Sequence, residues 1–257
     1  MNGTVFPEGA ALVVGGSGGI GQAVCRELAR AGSDVALTYR GRREVAESLA
    51  AEICAMGRRA TAHQLTIGDP GSVEAAVAEA ARQHGRLHTV VVGAGSLPKQ
   101  VLLSQVTREQ WQAILDQDVN GFFNVMQATL PRLKQWGGGS YVHIGSAGHR
   151  RWPNRDGLSV VPKAAIEALI TGVAREEGRF GIRANSVLVG VVEAGQFLEL
   201  TQQGAFDERW VEAAHRNFAI KRWGKAEEIG YAVVFLASNR AAYVTGQRIA
   251  VDGGYGL

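Results

Sequence analysis

A chain of 257 residues with 46% hydrophobic and 20% charged residues carries enough apolar material for one large globular domain. Its net charge is only +3 and its Lys and Arg are scattered, which excludes a nucleic-acid binder on electrostatic grounds. No apolar run approaches the roughly 20 residues that span a bilayer. The N-terminus lacks the basic and apolar regions of a secretion signal, and Cys25 and Cys54 have no metal-ligand spacing. The expectation is a cytoplasmic protein with no membrane partner, no metal and two reduced, buried thiols.

The organising stretch spans residues 10–21. Leu12, Val13 and Val14 form an apolar run typical of a buried parallel strand, and four of the next five residues are glycine. Ile20, Ala23, Val24, Leu28 and Ala29 then fall at helical spacing. A strand, a glycine turn and a helix N-terminus make a phosphate site, because glycine lets the backbone approach closely while free N–H groups and the helix dipole favour negative charge. The spacing Gly15-x-x-x-Gly19-x-Gly21 differs from the common dinucleotide fingerprint, and a plain tight turn is the alternative.

The first helix is expected over 20–31, with Gly32 as its stop, and strand two over 34–39. Arg40, Arg42 and Arg43 follow, and no acid lies between Asp34 and Glu44. Where such a strand meets the adenosine ribose, an acid accepts from a 2′-hydroxyl whereas arginine pairs with a 2′-phosphate, so the phosphorylated cofactor is favoured. A solvated helix start is the other reading of these arginines. A second helix is expected over 44–56, strand three over 59–65, a third helix from Asp69 to His84 with Pro70 in its first turn, and strand four over 87–92. Strand four runs into Gly93-Ala94-Gly95, a second small-residue turn. A long helix follows over 108–135, then strand five over 141–146, a helix over 162–180, strand six over 182–189, an apolar irregular or helical segment over 195–218, a helix over 226–238 and a last strand over 247–251. Alternating strands and helices imply an α/β fold: a single Rossmann-type domain over 1–257, with a doubly wound parallel sheet of about seven strands. Ligands then sit outside the carboxyl ends of strands one and four, where both glycine turns fall.

The whole chain resembles a classical short-chain dehydrogenase/reductase, most similar to the 3-oxoacyl-carrier-protein reductase branch. The resemblance rests on residues 15–21, Asp118-Val-Asn120, Gly145-Ser146, Lys163-Ala-Ala, residues 181–187, residues 221–229 and residues 245–254. It implies hydride transfer with NADP(H), and an Asn-Ser-Tyr-Lys tetrad in which Asn120, Ser146 and Lys163 fill three places. It further implies that the cofactor lies against Gly15, Ser17, Gly18, Gly19, Ile20, Gly21, Arg40, Thr66, Ile67, Gly93, Ala94, Gly95, Lys163 and Val192. Residues 190–220 match the family's variable substrate lid, whose apolar side chains suit a hydrophobic or acyl-type substrate. A homotetramer or homodimer through the helices of Arg108 and Pro162 is implied in the same way.

The fourth tetrad place departs from the pattern. Four residues before Lys163 stands Ser159, not tyrosine. A phenol with pKa about 10 can be tuned toward neutrality by a neighbouring ammonium, whereas an aliphatic hydroxyl cannot. The Asn-Asn-Ala-Gly turn of the family is Val92-Gly93-Ala94-Gly95 here, its Pro-Gly is Val189-Gly190, and Val14 and Thr66 replace a threonine and an acid. The 2,4-dienoyl-CoA reductases of the superfamily also carry serine before the lysine and use another acid. His149 is the nearest titratable candidate on the same loop, or else an ordinary loop histidine; His143 reads as packed, and no tyrosine lies between Tyr141 and Tyr231. Ser159 also reads simply as the start or cap of a helix whose first turn holds Pro162. Two functions are compatible with this pattern: a reductase of a carbonyl, enone or enoyl group with a non-standard proton donor, or a catalytically inactive homologue serving as a cofactor-binding or structural subunit.

Overall fold

Five consecutive apolar residues have no solvent-facing side, and strand β1 (Ala10–Val14) is buried along its whole length. Alternate side chains feed two cores. Ala11 and Val13 join one cluster, and Ala10, Leu12 and Val14 the other. The structure, a computed structural model, describes residues 5–257; residues 1–4, part of the N-terminal stretch considered above, lie outside them. Around β1 are parallel strands β2 (Asp34–Tyr39), β3 (Ala60–Gln64), β4 (Leu87–Val92), β5 (Gly139–Ser146), β6 (Ile182–Val189) and β7 (Arg248–Val251), in the order β3-β2-β1-β4-β5-β6-β7. The seven-stranded doubly wound sheet is the expected architecture.

Helices α1 (Gly19–Arg30), α2 (Arg43–Ala55) and the late helix Ala226–Ala237 cover one face, burying Val24, Leu28, Leu49, Ile53, Ile229 and Val233. The other face is covered by α3 (Pro70–His84), by α5 (Gly121–Gln135), which α4 (Arg108–Ile114) precedes, and by α6 (Gly157–Glu176). A π-helical turn over Leu115–Asn120 joins α4 to α5, so the expected 108–135 helix is continuous but locally widened. Beyond β6, α7 (Gln196–Gln202) and α8 (Glu208–Asn217) form the lid, and the late helix is α9. Phe122 is fully buried between the rings of Tyr141 and His143, with centroids 6.4 and 5.7 Å away. Phe122→Ala is expected to lower unfolding free energy by about 3–5 kcal/mol in chemical denaturation.

Two expectations need correction. Helix α6 starts at Gly157, five residues before the proline taken as its first turn. Pro162 removes one intrahelical donor, and packing of Leu158, Val160, Ile166 and Ile170 carries the helix through it. Cys54 is exposed on α2, so only Cys25 is buried; both thiols are free. Helix α6 is also long and apolar enough by composition to cross a membrane, but half of its apolar window is buried and Leu158, Ile166 and Val173 pack into the protein.

Candidate active site

The carboxyl ends of the strands open into one cleft of about 1160 Å³ at the switch point between β1 and β4. Its floor is two touching glycine turns. Gly15 has φ +87°, and a Cβ there would lie 2.8 Å from the Ala94 nitrogen. A Cβ at Gly21 would lie 2.1 Å from the Gly15 carbonyl oxygen, so only glycine closes this turn. The Gly15 N–H donates to Thr38 Oγ1 at 3.0 Å and the Ser17 N–H to the Thr38 carbonyl at 3.2 Å, which ties the turn to β2. Helix α1 begins at an N-cap, Gly18, with no side chain to occupy its free N–H groups. An open helix N-terminus over a cradle that any Cβ would fill fits the pyrophosphate of a dinucleotide.

Gly15, Ser17, Gly18, Gly19, Ile20, Gly21, Arg40, Ile67, Gly93, Ala94, Gly95, Lys163 and Val192 all line this cleft. Thr66 does not: it is exposed, and its backbone N–H donates to Ser72 Oγ at 2.9 Å. At the end of β2 the three arginines differ. Arg42 pairs with Glu199 of α7 at 3.1 Å and Arg43 with Glu47 at 2.7 Å, while Arg40 makes no ion pair among the described residues. Arg40 lines the cleft with its charge unengaged by an ion pair among the described residues.

At the other end stand Ser146, Ser159 and Lys163. Ser146 Oγ accepts from the Gly148 N–H at 3.0 Å, which fixes its position at the end of β5. Lys163 Nζ donates to Ser159 Oγ at 3.0 Å and to the Ser159 carbonyl at 3.3 Å, a pair made possible by i,i+4 spacing on α6. Burial pulls the Lys163 ammonium below its ordinary pKa, and Asp118 and Asp156 pull it back up.

Asn120 is not brought to the cleft. It is exposed, and its amide donates to Asp116 Oδ1 at 2.8 Å. Asp118 faces inward in its place, buried, with Oδ1 accepting from the Ser96 N–H at 2.9 Å and its hydroxyl at 2.8 Å. The signal was present in the sequence: Asp118 precedes buried Phe122 by four residues and Val125 by seven, on the stripe that α5 buries. His149 also lies outside the cleft, directed at Glu167 3.5 Å away, whose carboxyl burial lifts to about 7. His143 is packed as expected; burial first, then the Lys163 charge, lowers it to about 3, so it stays neutral.

Among the cleft residues that the sequence reading did not single out, three stand near the reacting end. Asp156 and Gln100 meet there, the Gln100 amide donating to Asp156 Oδ1 at 2.9 Å. Tyr255 arrives from the C-terminal tail, with its ring 5.5 Å from that of Phe218 and 5.8 Å from the Arg151 guanidinium. No local pattern joins residues 100, 156 and 255. The lid contributes an aromatic cluster in which Phe206 and Trp210 stack at 3.9 Å and Phe197 lies 5.3 Å from Trp223. This cluster gives the outer cleft an apolar wall.

Comparison with known proteins agrees with this geometry. The family model for enoyl-(acyl carrier protein) reductase matches residues 14–256. The chain is 32% identical over 249 residues to a 3-oxoacyl-[acyl-carrier-protein] reductase FabG of Staphylococcus aureus, covering 95% of this chain and 97% of that protein. It is also 32% identical to L-rhamnose 1-dehydrogenase (NAD(P)(+)) of a Sphingomonas species, covering 95% of this chain and 94% of that one. Among solved structures, a short-chain type dehydrogenase/reductase from Mycobacterium ulcerans superposes with TM-score 0.91 at 29% identity, over 98% of this chain and 91% of that one. A metagenomic blue fluorescent protein in complex with NADPH superposes with TM-score 0.85 at 32% identity, over 97% and 99%. A seven-stranded switch-point cleft, a glycine cradle, and serine and lysine at its far end, matched over nearly the whole chain, place the protein in the classical short-chain dehydrogenase/reductase family, among oxidoreductases resembling the 3-oxoacyl-carrier-protein reductases.

Proposed function

We propose that the chain is an NADP(H)-dependent reductase of a carbonyl, enone or enoyl group in a hydrophobic substrate, with a proton donor other than tyrosine. The observation that carries this reading is Lys163, half-buried at the cleft beside two acids and bonded to Ser159, continuous with an open glycine cradle. An ammonium partly withdrawn from water there calls for a ribose, phosphate or acid partner. When bound, NADPH supplies a hydride to the substrate carbon. The chain's own residues do the rest. Residues 15–21 hold the pyrophosphate, Arg40 meets the 2′-phosphate, and Lys163 is the donor for the nicotinamide ribose. Ser146 and Ser159 hold the substrate oxygen, and the aromatic lid excludes water from an acyl or other apolar chain. The preference for NADPH rests on Arg40 and on the lack of an acid at the end of β2, and the NADPH complex of one structural relative supports it.

Titration calorimetry with NADPH and NADH tests the reading. Tight NADPH binding with much weaker NADH is expected. Arg40→Ala should cost about tenfold in NADPH affinity, roughly 1.4 kcal/mol, and leave NADH nearly unaffected. Absence of binding by either dinucleotide overturns the oxidoreductase reading and leaves the inactive structural subunit. We further propose a cytoplasmic homotetramer or homodimer associating through α4–α5 and α6, which exposed Trp111 and Phe123 support. Light scattering on purified protein checks it.

A further inference from the structure

The proton donor is missing from its usual place, and the structure offers an acid one helical turn away. Asp156 is the N-cap residue of α6, half-buried in the cleft wall. Residues 156, 159 and 163 stand at i, i+3 and i+7, so they share one face of α6, and all three line the cleft. Lys163 Nζ donates to Ser159 Oγ at 3.0 Å, and the Ser159 side chain neighbours the Asp156 carboxyl one turn earlier, where it helps draw that group's pKa down. From the loop after β4, Gln100 Nε2 donates to Asp156 Oδ1 at 2.9 Å. That bond holds one carboxyl oxygen and leaves the other for a proton. The backbones of Val101 and Asp156 also pair, so this acid is positioned from two elements.

Resting on the reading above, we propose that Asp156 is the proton donor, acting through the Ser159 hydroxyl. As the substrate carbon gains the hydride, the π electrons shift to its oxygen, or to the α-carbon of an enoyl group. Ser159 releases its hydroxyl proton to that atom and takes the Asp156 carboxyl proton in the same movement. Asp156 is left as a carboxylate beside Lys163 and regains a proton from water; the substrate is reduced by two electrons and the dinucleotide is oxidised. Ser159, too weak an acid by itself, serves as a relay that is never left as an alkoxide. Burial pushes the Asp156 carboxyl above its ordinary range, while the Gln100 bond, the Lys163 charge and the neighbouring Ser159 hydroxyl draw it down. Tyr255 is the other titratable group facing it, and burial keeps that phenol neutral by raising its pKa. A donor must be protonated, so turnover is lost as pH rises through the Asp156 midpoint.

Asp156→Asn keeps an acceptor for Gln100 but has no proton to give. With NADPH and three probes (an acetoacetyl thioester, a crotonyl thioester and cyclohexenone), it should lower turnover of whichever probe the parent reduces by about 10²–10³-fold. Its NADPH dissociation constant should stay within about threefold of the parent. Asp156→Glu should recover part of the rate, with its alkaline limb displaced. Independently of turnover, carboxyl-carbon NMR of the parent should show Asp156 titrating above the ordinary value of about 3.9, and higher still in Lys163→Met. Full turnover in Asp156→Asn, or an ordinary midpoint, overturns the assignment while the reductase reading stands. A parent that reduces none of the probes overturns both.

Discussion

Replacing Lys163 by Met is expected to abolish function more completely than any other single change in the cleft. The ammonium donates to Ser159 at 3.0 Å and faces Asp118 and Asp156. Methionine fills the same volume and removes the charge. Two consequences follow from the geometry. Asp156 loses the cation that stabilises its ionised form, so it takes up a proton at higher pH, and Ser159 loses the donor that orients its hydroxyl. Turnover should fall by about 10²–10³-fold, the scale of losing one preorganised charged donor. NADPH affinity should fall by about tenfold or more, or roughly 1.4 kcal/mol, through the lost ribose contact. Steady-state kinetics and calorimetry on the same preparation measure both, and a variant with parental turnover contradicts the placement of Lys163 at the reacting end.

The second large effect is expected at Gly21, and its cause is steric rather than electrostatic. A Cβ at this position would lie 2.1 Å from the Gly15 carbonyl oxygen and 3.0 Å from Gly16 Cα. Both are backbone atoms of the turn, with no flexible end to move aside. Gly21→Ala must therefore push α1 away from the turn that the 3.0 Å bond from the Gly15 N–H to Thr38 anchors. The expected cost is about 3 kcal/mol, at the upper end of overpacking penalties. It should appear as a fall in Tm of roughly 6–12 °C for a domain of this size. NADPH binding should be lost with it, because the pyrophosphate cradle is the feature displaced. Differential scanning calorimetry with and without NADPH separates the two: the parent should gain stability on adding the dinucleotide, and the variant should not. A parental Tm with retained NADPH stabilisation would show that the turn can relax around a methyl group.

Much of the fold was legible because its elements are bounded by strong local punctuation. Strands β2, β4 and β6 begin and end where their apolar runs meet polar residues or Gly, and the expected limits coincide with the observed ones. Gly32 and Gly57 adopt φ of +99° and +83° just past α1 and α2, conformations that stop a helix. The start of α6 was not legible, since Pro162 carries the usual signature of a first turn. Burial of Leu158 and Val160 extended the helix upstream of it, where tertiary packing outweighs one missing hydrogen bond.

The site divides along the same line. Residues 15–21 and 93–95, together with Ser146, Ser159 and Lys163, are motifs whose spacing specifies a turn or a helix face, and the cleft contains all of them but Gly16, which packs against Leu37 and Cys25. The chain's own order of residues thus determined a doubly wound α/β domain, a phosphate cradle at its switch point, and a lysine with serine in the tyrosine's place. Tertiary structure decided the rest. The bond from Ser96, on the loop after β4, holds Asp118 inward, while Asn120 is left exposed against Asp116. Packing directed His149 toward Glu167 and away from the cleft. Chain crossings brought Gln100 to Asp156 across 56 residues and carried Tyr255 in from the C-terminal tail. Such meetings depend on how strands stack side by side rather than on any local spacing, so they emerge only when the sheet is assembled.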